Sequence, residues 1–273
     1  MVGKTFDRVL AIKEVATKTE KKLIEGLMKI NGDELIYLSI TELSAKLKVA
    51  EATIVRFCKK LGYNGFQDFK LSLSKELGIQ EDTSNNSVVR KLALKMTDAI
   101  DETSRSIDYD ECLQIADLLI NARHIGAFGV GNSSITATEF GNVLARIGIN
   151  VTVTPDPHLQ AMIIGNMTST DVVILISVSG STKDIIDVAE IARRNGVKIV
   201  VITCYDHSPL TKYADYVLNS TRREAAYEGG SVSTIVSISF IINVLYNAIY
   251  EKLGEDAYIR TLRAAGAVAN KSI

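Results

Sequence analysis

The sequence predicts an α/β chain: an all-α head built round a helix-turn-helix, then a Rossmann-like sandwich with a five-stranded parallel sheet. Three observations point there. Residues 39–61 read as two short helices joined by a tight turn, the second basic on its outer face. From His124 onward, short β-branched apolar runs alternate with helical segments. Charge is also split: residues 1–78 carry 14 Lys+Arg against 10 Asp+Glu, and the remainder 17 against 22. The formal net charge of −1 therefore conceals a basic head on an acidic body, which favours a polyanion at the head.

At 273 residues there is room for two domains. We expect a helical head over 1–78, a linker and connecting helix over 79–106, and the sandwich over 107–273. Residues 18–30 predict an amphipathic helix with Leu23, Ile24, Leu27, Met28 and Ile30 on one side, stopped by Asn31-Gly32-Asp33. Thr41 is placed to cap the next helix, with Ile40 stapling against Ala45. Leu43 and Leu47 face inward, Val49 closes the turn, and Ile54, Phe57, Cys58 and Leu61 follow at helical spacing. Gly62–Gly65 reads as a turn and Phe66–Leu77 as a further helix. Residues 78–87 are polar and rich in breakers, as a linker is. Helices are expected near 88–104 and 110–121.

The strands expected are Ile125–Phe128, Val151–Val153, Val172–Ile176, Ile199–Ile202 and Tyr216–Leu218. Helices at 134–147, 158–167, 183–194 and, briefly, 208–213 separate them, and Val232–Tyr250 packs on the sheet. Strict alternation means parallel strands covered on both faces by right-handed crossovers.

On the second helix of the head, Thr53, Arg56, Lys59 and Lys60 lie outward. Arg56 can donate twice to guanine O6 and N7, and Thr53 can meet a base edge or a phosphate. Lys59 and Lys60 suit phosphates, and Lys46 on the preceding helix joins them. Periodicity alone also fits a solvated helical hairpin; the charge split favours DNA.

The run Glu51–Lys70 (EATIVRFCKKLGYNGFQDFK) resembles the N-terminal domain of RpiR/MurR-type bacterial transcriptional regulators. The turn departs from that family, which usually has Gly-Val-Ser where this chain has Lys48-Val49-Ala50. Lys48 must then adopt the positive φ that glycine favours, and Ala50 cannot cap the following helix.

Two loops each follow a strand and precede a helix: Gly129–Ser134 (GVGNSS) and Ser177–Thr182 (SVSGST). In an open parallel sheet, ligands bind beyond the carboxyl ends of strands. Glycines let backbone N–H groups approach an anion, and the helix start adds positive potential. Either loop alone also fits ordinary cap serines; two in one sheet favour an anion site. Neither has the Gly-x-Gly-x-x-Gly pattern or a P-loop lysine, so no nucleotide cofactor is expected.

Both loops resemble the sugar isomerase (SIS) domain, the usual C-terminal partner in RpiR-type regulators, as do the stretches 155–160 and 208–215. The resemblance covers about residues 18–250. It implies phosphate contacts from Ser133, Ser177, Ser179 and Thr182, flanked by Gly131, Asn132, Ser134 and Ser181. Glu228 resembles the carboxylate that SIS domains aim at the sugar, with Ser231 and Ser233 nearby and Glu224 as a competitor. The plain alternative for Glu228 is a solvated acid at a helix start.

An aldose–ketose isomerase needs a general base, and Glu139, His158, His207 and Glu228 are candidates. The three histidines form no catalytic spacing, and an enzyme has no evident use for residues 1–78. His158 sits at a helix start, where capping is the ordinary role. We therefore expect a sensor without turnover rather than an isomerase. The implied partners are a palindromic double-stranded operator, a phosphorylated sugar effector and a second copy, in a homodimer or homotetramer. Cys58, Cys112 and Cys204 have no metal-ligand spacing and read as reduced core residues, so no metal is expected. No secretory pattern or long apolar run is evident, so no membrane partner is expected and the cytoplasm is the expected location.

Overall fold

The computed structural model describes residues 4–76, 85–220 and 232–269. The chain divides into two compact units, with the boundary after Leu92.

The head is helical. Helices α1 (Lys4–Ala11), α2 (Lys18–Leu27), α3 (Gly32–Leu35), α4 (Ile40–Leu47), α5 (Glu51–Lys60) and α6 (Phe66–Glu76) follow one another. They enclose one core in which Leu23, Ile24, Leu35, Leu43, Ile54, Phe57, Phe69 and Leu73 are buried. Two capping boxes start helices here. Thr17 and Glu20 cap α2, and Ser39 and Glu42 cap α4. Ser39, not Thr41, is thus the cap of α4. The Ser-x-x-Glu pattern satisfies two backbone donors reciprocally, whereas Thr41 lies within the helix and donates to Glu51 Oε1 at 2.8 Å. The expected helix over 18–30 ends at Leu27, and Gly32 opens the short α3 instead of stopping α2. Lys70 is buried, its Nζ donating to Leu38 O at 2.9 Å and lying 5.3 Å from the centre of the Phe66 ring. Helix α1 was not expected. It is short, and its anchor is distant in sequence: Thr5 donates from its N–H and its hydroxyl to Glu76 at 2.9 and 2.7 Å.

Leu77 and most of the expected linker lie outside the described residues. Helix α7 (Asn85–Ser106) starts earlier than expected, followed by α8 (Tyr109–Asn121), whose cap is Asp108. The second unit then alternates as predicted. Strands β1 (Ile125–Phe128), β2 (Val151–Val153), β3 (Val172–Ile176), β4 (Lys198–Thr203) and β5 (Tyr216–Asn219) form one parallel sheet in the order β2-β1-β3-β4-β5. Helices α9 (Asn132–Ala145), α10 (Pro157–Gly165) and α11 (Lys183–Arg194) connect them, with a 3-10 turn over Leu210–Tyr213. Along β3, Val172, Ile174 and Ile176 join one core with α8, α9 and α12 (Val232–Leu253). Val173 and Leu175 join the other with α10 and α11. All five residues of β3 are buried, as a central parallel strand requires.

Helix α12 is long and apolar enough to cross a membrane, yet half of that stretch is buried within the protein, with Ile238, Ile241, Ile242 and Leu245 in the core. Helix α13 (Glu255–Val268), also unexpected, follows Gly254. Cys58, Cys112 and Cys204 are free and buried, and burial pushes the Cys58 thiol up to about 12.

Candidate functional site

The turn of the head has the geometry its residues demand. Lys48 sits at φ 52, ψ 50, the only positive-φ residue other than glycine among those described. Its N–H reaches Ser44 O and Ala45 O, and Val49 N–H reaches Ser44 O at 3.1 Å. This is a Schellman closure made without glycine. Buried Val49 anchors it, and Lys22 Nζ braces it by donating to Lys48 O at 3.1 Å. Ala50 begins α5 with no side-chain cap.

Helix α5 buries Ile54, Phe57 and Cys58 and turns Ala52, Arg56, Lys59 and Lys60 outward, with Thr53 half-buried beside them. Arg56 Nη2 stands 3.5 Å from Thr53 Oγ1, so the two form one polar patch. The lysines divide. Lys59 is exposed, whereas Lys60 is held by Glu20 at 3.0 and 3.1 Å. The Glu20 carboxyl is held below its ordinary pKa first by the Thr17 N–H and then by Lys60. Lys46 pairs with Glu34.

In the second unit, β1 and β3 are neighbours in register, with Phe128 beside Leu175. Their outgoing connections leave in opposite directions, since β2 lies outside β1 and β4 outside β3. This is the topological switch point, where a crevice opens beyond the strand ends. Both serine-rich loops follow these two strands.

In the first loop, a Cβ on Gly129 would stand 2.5 Å from Ser133 O, so only glycine fits. Gly131 takes φ 61 and starts α9 with no side-chain cap. Ser134 Oγ donates back to Gly131 O at 2.7 Å, which commits that hydroxyl to the loop. Asn132 and Ser133 make no side-chain hydrogen bond among the described residues; Asn132 is exposed and Ser133 half-exposed. Gln160 holds the loop from below. Fully buried, its Nε2 donates to Gly129 O at 2.9 Å and Thr154 O at 2.8 Å. Its Oε1 has no partner among the described residues. Sequence reasoning gave Gln160 no role, because a glutamine in a helix start carries no local signal.

In the second loop, Ser177 Oγ and Thr182 Oγ1 lie 3.2 Å apart, while Ser179 Oγ accepts from Ser181 N–H at 3.2 Å. Thr182 occupies the cap position of α11 without capping it. The segment after β4 supports the loop: Leu210 N–H donates to Gly180 O at 3.0 Å and Thr203 Oγ1 to Val178 O at 3.2 Å. Both α9 and α11 thus present first-turn N–H groups with no side chain of the cap residue on them.

Glu228, Ser231 and Glu224 lie outside the described residues. Of the other candidate bases, Glu139 accepts from Ser239 Oγ at 2.6 Å and lines an open cleft of about 540 Å³ with Ser134, Thr138 and Pro155. His158 and His207 are exposed. The cap of α10 is Asp156, whose Oδ1 accepts from Leu159 N–H at 2.8 Å, so His158 has no capping role. No group of three or more His, Cys, Asp or Glu suited to a metal occurs among the described residues.

Residues 7–80 match the helix-turn-helix domain of the rpiR family, and residues 118–248 match the SIS domain. An uncharacterised HTH-type transcriptional regulator of Clostridium perfringens is 34% identical, over 93% of this chain and 95% of that protein. A second, from Haemophilus influenzae, is 31% identical over 89% of each. Among solved structures, the Vibrio vulnificus NanR protein complexed with ManNAc-6P superposes with a TM-score of 0.90 at 27% identity, covering 98% of this chain and 99% of that one. The sugar isomerase domain of an RpiR transcription factor from Sphaerobacter thermophilus shares the fold, with a TM-score of 0.58 at 24% identity, over 65% of this chain and 97% of that one. The curated relatives are named as transcriptional regulators, not enzymes. The chain belongs to the rpiR family of helix-turn-helix transcriptional regulators, with a SIS domain behind the DNA-binding head.

Proposed function

We propose that this regulator takes a phosphorylated sugar in the SIS crevice and changes its grip on a palindromic operator in response. The supporting observation is the pair of uncapped helix starts, α9 and α11, behind hydroxyl-rich loops on the two strands flanking the switch point. Amide N–H groups and neutral hydroxyls suit a phosphate dianion at a helix N-terminus. Asn132, Ser133, Ser177, Ser179, Ser181 and Thr182 are the assigned contacts, with Gly131 and Ser134 shaping the first loop. Glu228 and Ser231 are assigned to the sugar from resemblance alone. The ManNAc-6P held by Vibrio NanR supports the substrate class.

On the head, Arg56 and Thr53 read base edges, and Lys59 meets phosphate; Lys60 and Lys46 join once their carboxylate partners yield. Two copies, as a homodimer or within a homotetramer, set paired recognition helices about 34–36 Å apart on DNA. The effector acts by binding one arrangement of the copies more tightly. A coupling of about 1–3 kcal/mol gives a roughly 5–150-fold change in operator affinity. The cytoplasm is where such a protein meets DNA.

The test pairs two measurements. A panel of phosphorylated sugars should raise the melting temperature of the protein, and Ser179→Ala should remove that shift. Arg56→Ala should weaken operator binding about tenfold or more and relax base preference. Melting indifferent to every sugar phosphate and to inorganic phosphate ends the effector assignment. Unchanged operator binding by the Arg56 variant ends the DNA assignment.

A further inference from the structure

Helix α13 touches its own unit along one side only. Ala257 is fully buried, and Arg260, Thr261 and Ala264 are half-buried. The opposite side is apolar and open. Tyr258, Ile259 and Leu262 are 56%, 39% and 53% exposed, and Ala265, Gly266 and Ala269 continue the stripe, all exposed. At about 100° per residue these six span roughly 120° centred on Leu262, on the side away from Ala257 and Ala264. No polar side chain occurs from Ala264 to Ala269. An exposed apolar stripe of this kind marks an interaction surface.

The stripe is tapered. Its bulk lies in the first two turns, and its small residues lie in the last two. Two such stripes laid parallel would meet bulk on bulk at one end and gape at the other. Laid antiparallel about Leu262, they fit: Tyr258 faces Gly266 of the second copy, and Ile259 faces its Ala265. The two helix dipoles then oppose one another, which favours the pair. Arg263 falls at the edge of the seam, and Glu255 at its open end, where water reaches both. A stripe with no charge at its centre does not suit nucleic acid or an acidic partner. A surface complementary to itself under a two-fold is an isologous contact.

We infer that α13 pairs antiparallel with α13 of a second copy across a two-fold axis at Leu262. This rests on the two-copy reading above and adds which surface joins the copies and in which direction. In an antiparallel pair only the position on the axis meets itself. Positions 259 and 265 each lie about 9 Å along the axis from their own copy, but level with each other across the seam.

The test uses the full chain, in which Cys58, Cys112 and Cys204 are buried and give the background. Under mild oxidation, Leu262→Cys should yield a covalent dimer. Ile259→Cys and Ala265→Cys should not when each is alone, but should when the two variants are mixed. Leu262→Glu should halve the mass seen by light scattering while the circular dichroism stays that of the unmodified chain. Cross-linking of all three single variants would mean parallel pairing and overturn the inference. An oligomeric unmodified chain whose Leu262→Cys form never cross-links would overturn it and leave the two-copy reading standing. A monomeric unmodified chain at operator-binding concentration would remove both.

Discussion

Replacing Ala50 by Ser should stabilise the head by about 1 kcal/mol, and the local geometry says why this position outweighs its neighbour. Ala50 stands at φ −59, ψ 141, already in the extended conformation a cap adopts. Its carbonyl accepts from Thr53 and Ile54 N–H at 2.8 and 3.2 Å, but its side chain offers nothing to the other first-turn amides. The residue is exposed, so a new hydroxyl buries no polar group. The rival substitution, Lys48→Gly, relieves roughly 1–2 kcal/mol of left-handed strain. It also frees the unfolded chain, which takes back about 0.4–1 kcal/mol. The net gain from the glycine is therefore about 0–1.6 kcal/mol, centred a little below that from the cap. Hydrogen exchange of the α5 amides in the full chain reads the difference. Protection should rise about fivefold in Ala50→Ser where exchange follows unfolding of the head. If the head melts on its own, a gain of this size moves its midpoint by about 4–8 °C. Unchanged protection in Ala50→Ser, with a clear gain in Lys48→Gly, would refute the reasoning and move the cost from the missing cap to the turn.

Two further outcomes follow from the second unit. Gly180→Ala puts a Cβ 2.1 Å from the buried Ser208 Oγ at a position with φ +58, so strain and overpacking together should cost about 2–4 kcal/mol. Thermal unfolding checks the loss, and the phosphate-dependent shift should vanish with it. Asp171 is buried and accepts from Arg123 Nε and Nη2 at 3.0 and 2.8 Å and from Thr168 N–H at 2.6 Å. The Arg123 guanidinium, with Thr168, holds its carboxyl well below the usual range. A depressed folded pKa means stability fully present above the unfolded value of about 4 and lost as the pH falls below it. Asp171→Asn should therefore be less stable than the unmodified chain at pH 7, with the gap narrowing on acidification. A gap independent of pH between 7 and 2 in urea unfolding would contradict the ionic account.

Much of this architecture is legible in the sequence, for identifiable reasons. The central strands β1, β3 and β4 are buried on both faces, so β-branched runs such as Val172–Ile176 advertise them, while the edge strands β2 and β5 are only half-buried. The strained Lys48 follows from the resemblance, which sets Lys48-Val49-Ala50 where the family has Gly-Val-Ser, and the uncapped Ala50 follows from a side chain with no acceptor. The cap of α4 lies at Ser39, two residues before Thr41; both side chains carry a hydroxyl able to cap, and Glu42, three residues after Ser39, is the discriminating signal. Helices α1 and α13 lacked such a signal. The first depends on Glu76, far along the chain, and the second has a face too poor in large apolar residues to show a clear period. Within the candidate site, the two serine-rich loops are legible from their place between strand and helix, and the choice of contact residues comes from the resemblance. Gln160 was not, since its value lies in reaching two carbonyls from separate loops, a property of the folded chain only.

The carboxylate that starts α2 also has a bearing on ionic strength. Glu20 already neutralises Lys60, so an approaching DNA phosphate would merely replace one anion by another at that ammonium. Little condensed cation would be set free by the swap. Arg56 and Lys59 would then dominate the salt slope of operator binding, and Glu20→Gln would steepen it by making Lys60 a third contributor.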